Sequence, residues 1–223
     1  MPAAIWDFSK QETRTVFFSE GINEKEMQKQ FSPFNYAPEL IPYFFYLKNQ
    51  FQLSAAVETG TWKAETTKCL AFLFDQVHTI ELQASFFTDA CETLSNDLNT
   101  HVHFGNSAEV LQKILPELSS SRTLFYLDAH WFSYWPLLDE LNAIATTHKD
   151  NCIIVIDDVK VPGRSDIPYD VYHEIDECSY KYVEEALALI YSSYEYFYVI
   201  PNSVYSRAKL VIIPSSWVEA IPL

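Results

Sequence analysis

Residues 123–131, TLFYLDAHW, and 152–163, CIIVIDDVKVPG, share one pattern: an unbroken apolar run that ends in aspartate. Continuous runs of this kind belong to strands covered on both faces, the condition of a parallel sheet held between two helical layers. Five more short apolar runs lie at 55–58, 77–82, 101–104, 196–200 and 209–213. Between most of them are helix-like stretches at about 64–74, 84–98, 107–118, 136–148 and 180–193. Alternation on this scale predicts an α/β domain with a seven-stranded, mostly parallel sheet and helices on both faces. Only Pro201 to Ala208 separates the last two strands. That is too short for a helical crossover, so the last strand is expected to run antiparallel.

The first fifty residues read differently. Asn23 to Phe31 and Pro38 to Phe51 look helical, the second with Leu40, Ile41, Phe44, Phe45 and Leu47 on a broad apolar face, and Pro33, Pro38 and Pro42 punctuate them. We therefore divide the chain into a helical cap or arm over 1–52 and a sheet domain over 53–223. The arm would close over a ligand or form a homodimer contact, and its residues do not choose between these.

Composition narrows the function classes. A chain of 223 residues with 48% hydrophobic and 16% aromatic content has enough apolar surface to fold as one globular unit. Thirty acidic against fifteen basic residues give a net charge of −15, which repels phosphate backbones and anionic lipid. Nucleic-acid and membrane partners are not expected. No run of 18 apolar residues occurs, and the start, MPAAIWDFSKQET, has no basic stretch leading into an apolar one. Cys69, Cys91, Cys152 and Cys178 are far apart and form no CxxC pair, so they read as buried thiols in a reducing compartment. The expected location is cytoplasmic.

In open α/β sheets the ligand lies beyond the carboxyl ends of the strands, where strand order reverses. The first run there continues as VETGTWKAETT, 57–67, with Gly60 at the tight turn. A pyrophosphate would want further glycines, and Glu58 would repel it; a ligand with positive charge suits this turn better. Glu81 closes the next strand 21 residues after Gly60, the place from which a carboxylate accepts from both hydroxyls of a ribose. FGNSAEVLQKIL, 104–115, follows the third strand; Asn106, Ser107 and Ala108 would form the floor under a base, with Ser107 as the helix N-cap. Asp128, Asp157 and Asp158 should meet at neighbouring strand ends, where three carboxylates repel unless a cation lies among them. A hard divalent ion with oxygen ligands is the economical solution.

Taken together, these motifs resemble the class I S-adenosylmethionine-dependent methyltransferases, and within them the metal-dependent catechol O-methyltransferase type. The similarity runs through five short segments between about 53 and 163, and the 29-residue interval from Asp128 to Asp157 is close to that type's metal-ligand spacing. The resemblance implies a Rossmann-like fold with S-adenosylmethionine and Mg²⁺ as cofactors. It places Glu58, Gly60, Thr61 and Trp62 on the methionine portion, Glu81 on the ribose, Asn106 and Ser107 near the adenine, and counts Asp128 among the cofactor-binding residues. Asp128, Asp157 and Asp158 would hold the metal, which would bind and acidify the hydroxyl of a small acceptor. The sequence departs from that pattern in two places. Asp157–Asp158 replaces an Asp–Asn pair, and Trp131 stands where that type has a lysine base. His130 is the candidate base and Lys160 the second choice. Tyr169, Tyr172, His173 and Tyr180 fall in an insertion, 162–181, placed to cover the site, and Trp131, Phe132, Tyr134 and Trp135 would wall the acceptor. Two alternatives remain beside this reading: a metal-independent methyltransferase using His130 alone, and a non-catalytic protein that retains the fold as an interaction module.

Overall fold

The structure is a computed structural model that describes residues 4–7, 33–130, 134–201 and 207–218. Its strands are β1 (Ala4–Asp7), β2 (Ala55–Thr59), β3 (Gln76–Glu81), β4 (Thr100–Phe104), β5 (Thr123–Leu127), β6 (Cys152–Val159), β7 (Val171–Tyr172), β8 (Asp176–Glu177), β9 (Tyr194–Ile200) and β10 (Ala208–Pro214). The helices are α1 (Ile41–Phe51), α2 (Glu65–Leu73), α3 (Ala84–Thr93), α4 (Ser107–Leu118), α5 (Leu137–Ala145), α6 (Tyr180–Ile190) and α7 (Ser215–Val218). The main sheet has the order β1-β9-β10-β6-β5-β2-β3-β4, and β7 and β8 form a separate two-stranded hairpin.

The seven strands expected from the sequence are all present. β10 is antiparallel to both neighbours, β6 and β9, and the pairs β5–β6, β2–β5, β2–β3 and β3–β4 are parallel. An eighth strand was not anticipated: Ala4–Asp7 pairs in parallel with β9 at the sheet edge. The expected helix at 23–31 lies outside the described residues.

Two cores flank the sheet, and the period-two pattern of the strands feeds both. Val57, Phe125, Ile154 and Ile212 pack on one side with α4, α5 and α6. Ala56, Leu124, Tyr126, Ile153, Val155 and Val211 pack on the other with α1 and α2. Just before α1, Pro33–Tyr36 makes a left-handed turn in which Phe34, Asn35 and Tyr36 all have φ between 54° and 65°. Successive non-glycine residues rarely adopt this conformation, so the surroundings must hold it. Phe34 does so as an anchor, fully buried between Phe44 and Tyr126 with ring centroids 4.6 and 5.5 Å away. The turn thereby delivers Asn35 to the carboxyl ends of β5 and β6.

Strand order reverses between β2 and β5, and their carboxyl ends open a crevice there. Gly60 leaves β2 with φ +84°, and a Cβ on it would lie 2.9 Å from the Asp128 carbonyl oxygen. Only glycine lets these two chain segments approach so closely.

Candidate active site

A cavity of about 750 Å³ fills the crevice, lined among others by Gly60, Trp62, Glu81, Asn106, Ser107, Asp128, His130 and Asp158. Glu81, at the end of β3, is buried, and its two carboxylate oxygens accept the backbone N–H groups of Trp62 at 2.9 Å and Gln83 at 2.7 Å. Each oxygen keeps a lone pair for a ligand, and the two amides fix its direction. Asn106 is the N-cap of α4, its side-chain oxygen accepting from Ala108 N–H at 3.0 Å. The cap expected at Ser107 is thus one residue earlier, and Ser107 begins the helix beneath the cavity.

Other anticipated cofactor contacts are turned away. Glu58 and Thr61 do not line the cavity. Glu58 is 1% exposed and accepts hydrogen bonds from the Thr67 and Thr79 hydroxyls. Burial pushes its carboxyl up to about 7, against the lowering effect of those two hydroxyls. Thr61 meets the Thr79 hydroxyl at 2.6 Å. Both residues stiffen the turn from below.

The three aspartates do converge. Consecutive residues of a strand ordinarily face opposite sides, so Asp157 and Asp158 share a site only because β6 is irregular. Ala208 pairs with Val159 and Leu210 with Ile156, which sets Asp157 and Asp158 against the single residue Lys209. Asp158 sits at φ +59°, a conformation aspartate tolerates, and the resulting bulge re-aims both side chains. Asn35 Nδ2 bridges Asp128 Oδ2 at 3.1 Å and Asp157 Oδ2 at 2.8 Å. Arg207 pairs with Asp158 at 3.0 Å and also with Asp170. Burial, then the Asp157 and Asp158 charges, hold the Asp128 carboxyl well above the usual carboxylate range, although Lys209 acts against them.

These surroundings test the expected metal. Asp157 already accepts four hydrogen bonds: from Lys209 Nζ and its neighbour's N–H (2.7 Å) on Oδ1, and from Tyr126 O–H (2.5 Å) and Asn35 Nδ2 on Oδ2. A carboxylate offers about four acceptor positions, so none is left for a metal ion. The cations that the crowded carboxylates demand are Lys209 and Arg207. As its side chain stands, Asp157 cannot ligate a divalent ion together with its neighbours, while Asp158 Oδ1 is buried with no hydrogen-bond partner among the described residues.

Of the two candidate bases, His130 lines the cavity. Desolvation and then the Arg207 charge lower its pKa below the ordinary histidine value, with Asp157 opposing, so it is neutral and able to accept a proton at pH 7. Lys160 is not brought to the site. Its ammonium donates to both oxygens of Glu177 at 2.6 and 2.7 Å, which raises its pKa and keeps it charged. This ion pair ties β6 to the β7–β8 hairpin, and the hairpin's Val171, Tyr172 and His173 do cover the cavity, as expected of the insertion. Trp135 stacks between Tyr172 and Tyr182, at 4.3 and 4.5 Å, and so braces that cover. Trp131 and Phe132 lie outside the described residues.

Sequence reasoning missed Asn35, Tyr126, Asp170, Arg207 and Lys209. Lys209 did leave a signal, since a lone lysine inside AKLVIIP, 208–214, demands a buried counter-charge. Asn35 left none. All four cysteines are free thiols, but Cys91 is exposed rather than buried. No helix among the described residues is long and apolar enough to cross a membrane.

No known family's sequence pattern matches the chain, and no curated protein matches it by sequence. Solved structures do. An O-methyltransferase from Bacillus cereus in complex with SAH superimposes with a TM-score of 0.61 at 14% identity, over 93% of this chain and 98% of that one. The O-methyltransferase TomG from Streptomyces achromogenes, in complex with SAM, gives 0.60 at 15% identity over 80% of each chain. SAH-bound methyltransferase PaMTH1 from Podospora anserina gives 0.54 at 12% over 85% of each. The chain shares the Rossmann-like fold of these proteins.

Proposed function

We propose that the protein is an S-adenosylmethionine-dependent methyltransferase acting on a hydroxyl oxygen of a small acceptor. The observation that carries this is Glu81, a buried carboxylate aimed by two backbone amides into a large cavity at the sheet's reversal point. The fold shared with SAM- and SAH-bound O-methyltransferases supports it.

When bound, S-adenosylmethionine supplies an electrophilic methyl group on a sulfonium. The residues of this chain then have separable tasks. Glu81 accepts from the ribose hydroxyls, and Asn106 and Ser107 lie under the base. The Gly60 turn and Trp62 border the methionine end. Asp128 borders the cavity beside the Gly60 turn. His130, neutral at pH 7, takes the proton from the acceptor hydroxyl as the oxygen attacks. The β7–β8 hairpin covers the acceptor and excludes water. The step is an in-line displacement whose main requirement is alignment. Magnesium forms no part of the proposal, because Asp157 has no acceptor position to offer it. The reduced thiols and strongly acidic balance suit a cytoplasmic enzyme with a small-molecule acceptor.

Calorimetric titration with S-adenosylhomocysteine tests the reading. Wild-type protein should bind at micromolar concentrations, and Glu81→Ala should bind at least about 100-fold more weakly, since hydrogen bonds to a charged group contribute about 1.5–3 kcal/mol each. A folded wild-type protein that does not bind would overturn the enzyme reading in favour of a non-catalytic module.

A further inference from the structure

We propose that Lys209 is the resident cation of this site. With the Asn35 amide, the Tyr126 hydroxyl and the Asp158 N–H it fills the acceptor positions of Asp157, the carboxylate that a divalent metal shared by Asp128, Asp157 and Asp158 would need, so the site works without one. The last clause rests on the methyltransferase reading; the claim about metal binding does not.

Three independent features support the assignment. Lys209 is 1% exposed, and a lysine is almost never so deeply buried without a partner built for it. Its ammonium donates to Asp157 Oδ1 and to the Arg207 carbonyl at 3.2 Å, so its position is set at two points. The backbone is shaped for this contact. The β6 bulge places two aspartates against the one lysine, and left-handed Asp158 donates its own N–H to Asp157 Oδ1. On the other oxygen, the buried Tyr126 hydroxyl and the left-handed Asn35 turn complete the set. A metal approaching Asp157 would have to displace a backbone amide, a buried ammonium, a buried phenol or an amide anchored by Phe34. Each displaced donor would lose its partner inside the protein. The ion pairs follow the same logic: Lys209 pairs with Asp157, and the one Arg207 guanidinium is shared by Asp158 and Asp170.

The test uses the full chain and Mn²⁺ as probe, followed by calorimetry and by the Mn²⁺ electron paramagnetic resonance signal. Wild-type protein should take up no Mn²⁺ below millimolar concentration, and neither Mn²⁺ nor Mg²⁺ should shift its melting temperature. Lys209→Met keeps the length of the side chain and removes the ammonium. It frees one acceptor position on Asp157 Oδ1 and should bring Mn²⁺ affinity at least tenfold above wild type, a gain that a merely structural lysine would not produce. Should that variant fail to fold, Asn35→Ala opens one acceptor position on each of Asp128 Oδ2 and Asp157 Oδ2 without stranding a buried charge, and should show the same gain. Sub-millimolar metal binding by wild type that is lost in Asp157→Asn would overturn the proposal. So would a folded Lys209→Met protein with no gain. Titration with S-adenosylhomocysteine in the same samples separates the two claims. Wild-type protein that binds neither cofactor nor metal refutes the proposed function and leaves the role of Lys209 standing.

Discussion

Adding one methyl group at Gly60 tests whether the close approach of β2 and β5 builds the site. A Cβ there would lie 2.9 Å from the Asp128 carbonyl oxygen, 3.1 Å from its carbon and 3.2 Å from Ala129 Cα. All three are backbone atoms, so no side chain can swing aside, and the strand ends must part by a few tenths of an ångström. The left-handed φ of +84° adds about 1–2 kcal/mol for any L-residue. The parting also strains the Asp128 N–H bond to the Thr59 carbonyl, 3.1 Å long, which closes the gap between the strands. Net hydrogen-bond contributions of about 1 kcal/mol bring the total to roughly 2–3 kcal/mol. For a domain of this size each kcal/mol lowers Tm by about 2–4 °C, so Gly60→Ala should melt roughly 4–12 °C below wild type. The Trp62 amide that orients Glu81 lies two residues on, so affinity for S-adenosylhomocysteine should fall at least about tenfold. Gly163→Ala is the control. Its φ is +77°, but no atom lies within 4 Å of a Cβ there. It should show the backbone penalty alone, about 1–2 kcal/mol, with unchanged cofactor affinity. Scanning calorimetry and the same titration read both variants. If Gly60→Ala melts and binds as Gly163→Ala does, the close approach of β2 and β5 does not build the site.

Two further outcomes follow from residues that the structure takes away from the cavity. Burial raises Glu58 to about 7 from an unfolded value near 4.5, so its stabilising contribution is complete below pH 4.5 and is lost as pH rises through 7. That amounts to about 3 kcal/mol, and Glu58→Gln should lose less stability than wild type between pH 5 and pH 8; parallel Tm–pH curves would refute this. Glu140, raised to about 7 by the same burial, accounts for the slope that remains in the variant. Lys160→Ala should change S-adenosylhomocysteine affinity less than twofold, because its ammonium is occupied by Glu177 outside the cavity; a large loss would restore it to the site.

Much of this protein could be read from the chain because the deciding features are local. Apolar runs such as TLFYL and CIIVI identify buried strands by themselves, since a strand covered on both faces needs nothing beyond its own side chains to show it. Gly60 marks the turn because no other residue adopts that φ without strain. The 21-residue step to Glu81 follows from the length of one helix and one strand. Even the meeting of Asp128 with Asp157 was legible, because adjacent parallel strands bring their carboxyl ends together. What the aspartates meet was not. Lys209 reaches Asp157 across 52 residues, through the insertion of an antiparallel strand beside β6 and a bulge that no local propensity announces. Asn35 arrives from the other side, on a turn whose left-handed backbone is held by the burial of Phe34. From sequence, three crowded carboxylates called for a cation. Only the packed structure decided that the cation is part of the chain, because the balance of a buried charge depends on whichever groups the fold places within hydrogen-bonding distance of it, however far apart they lie in sequence.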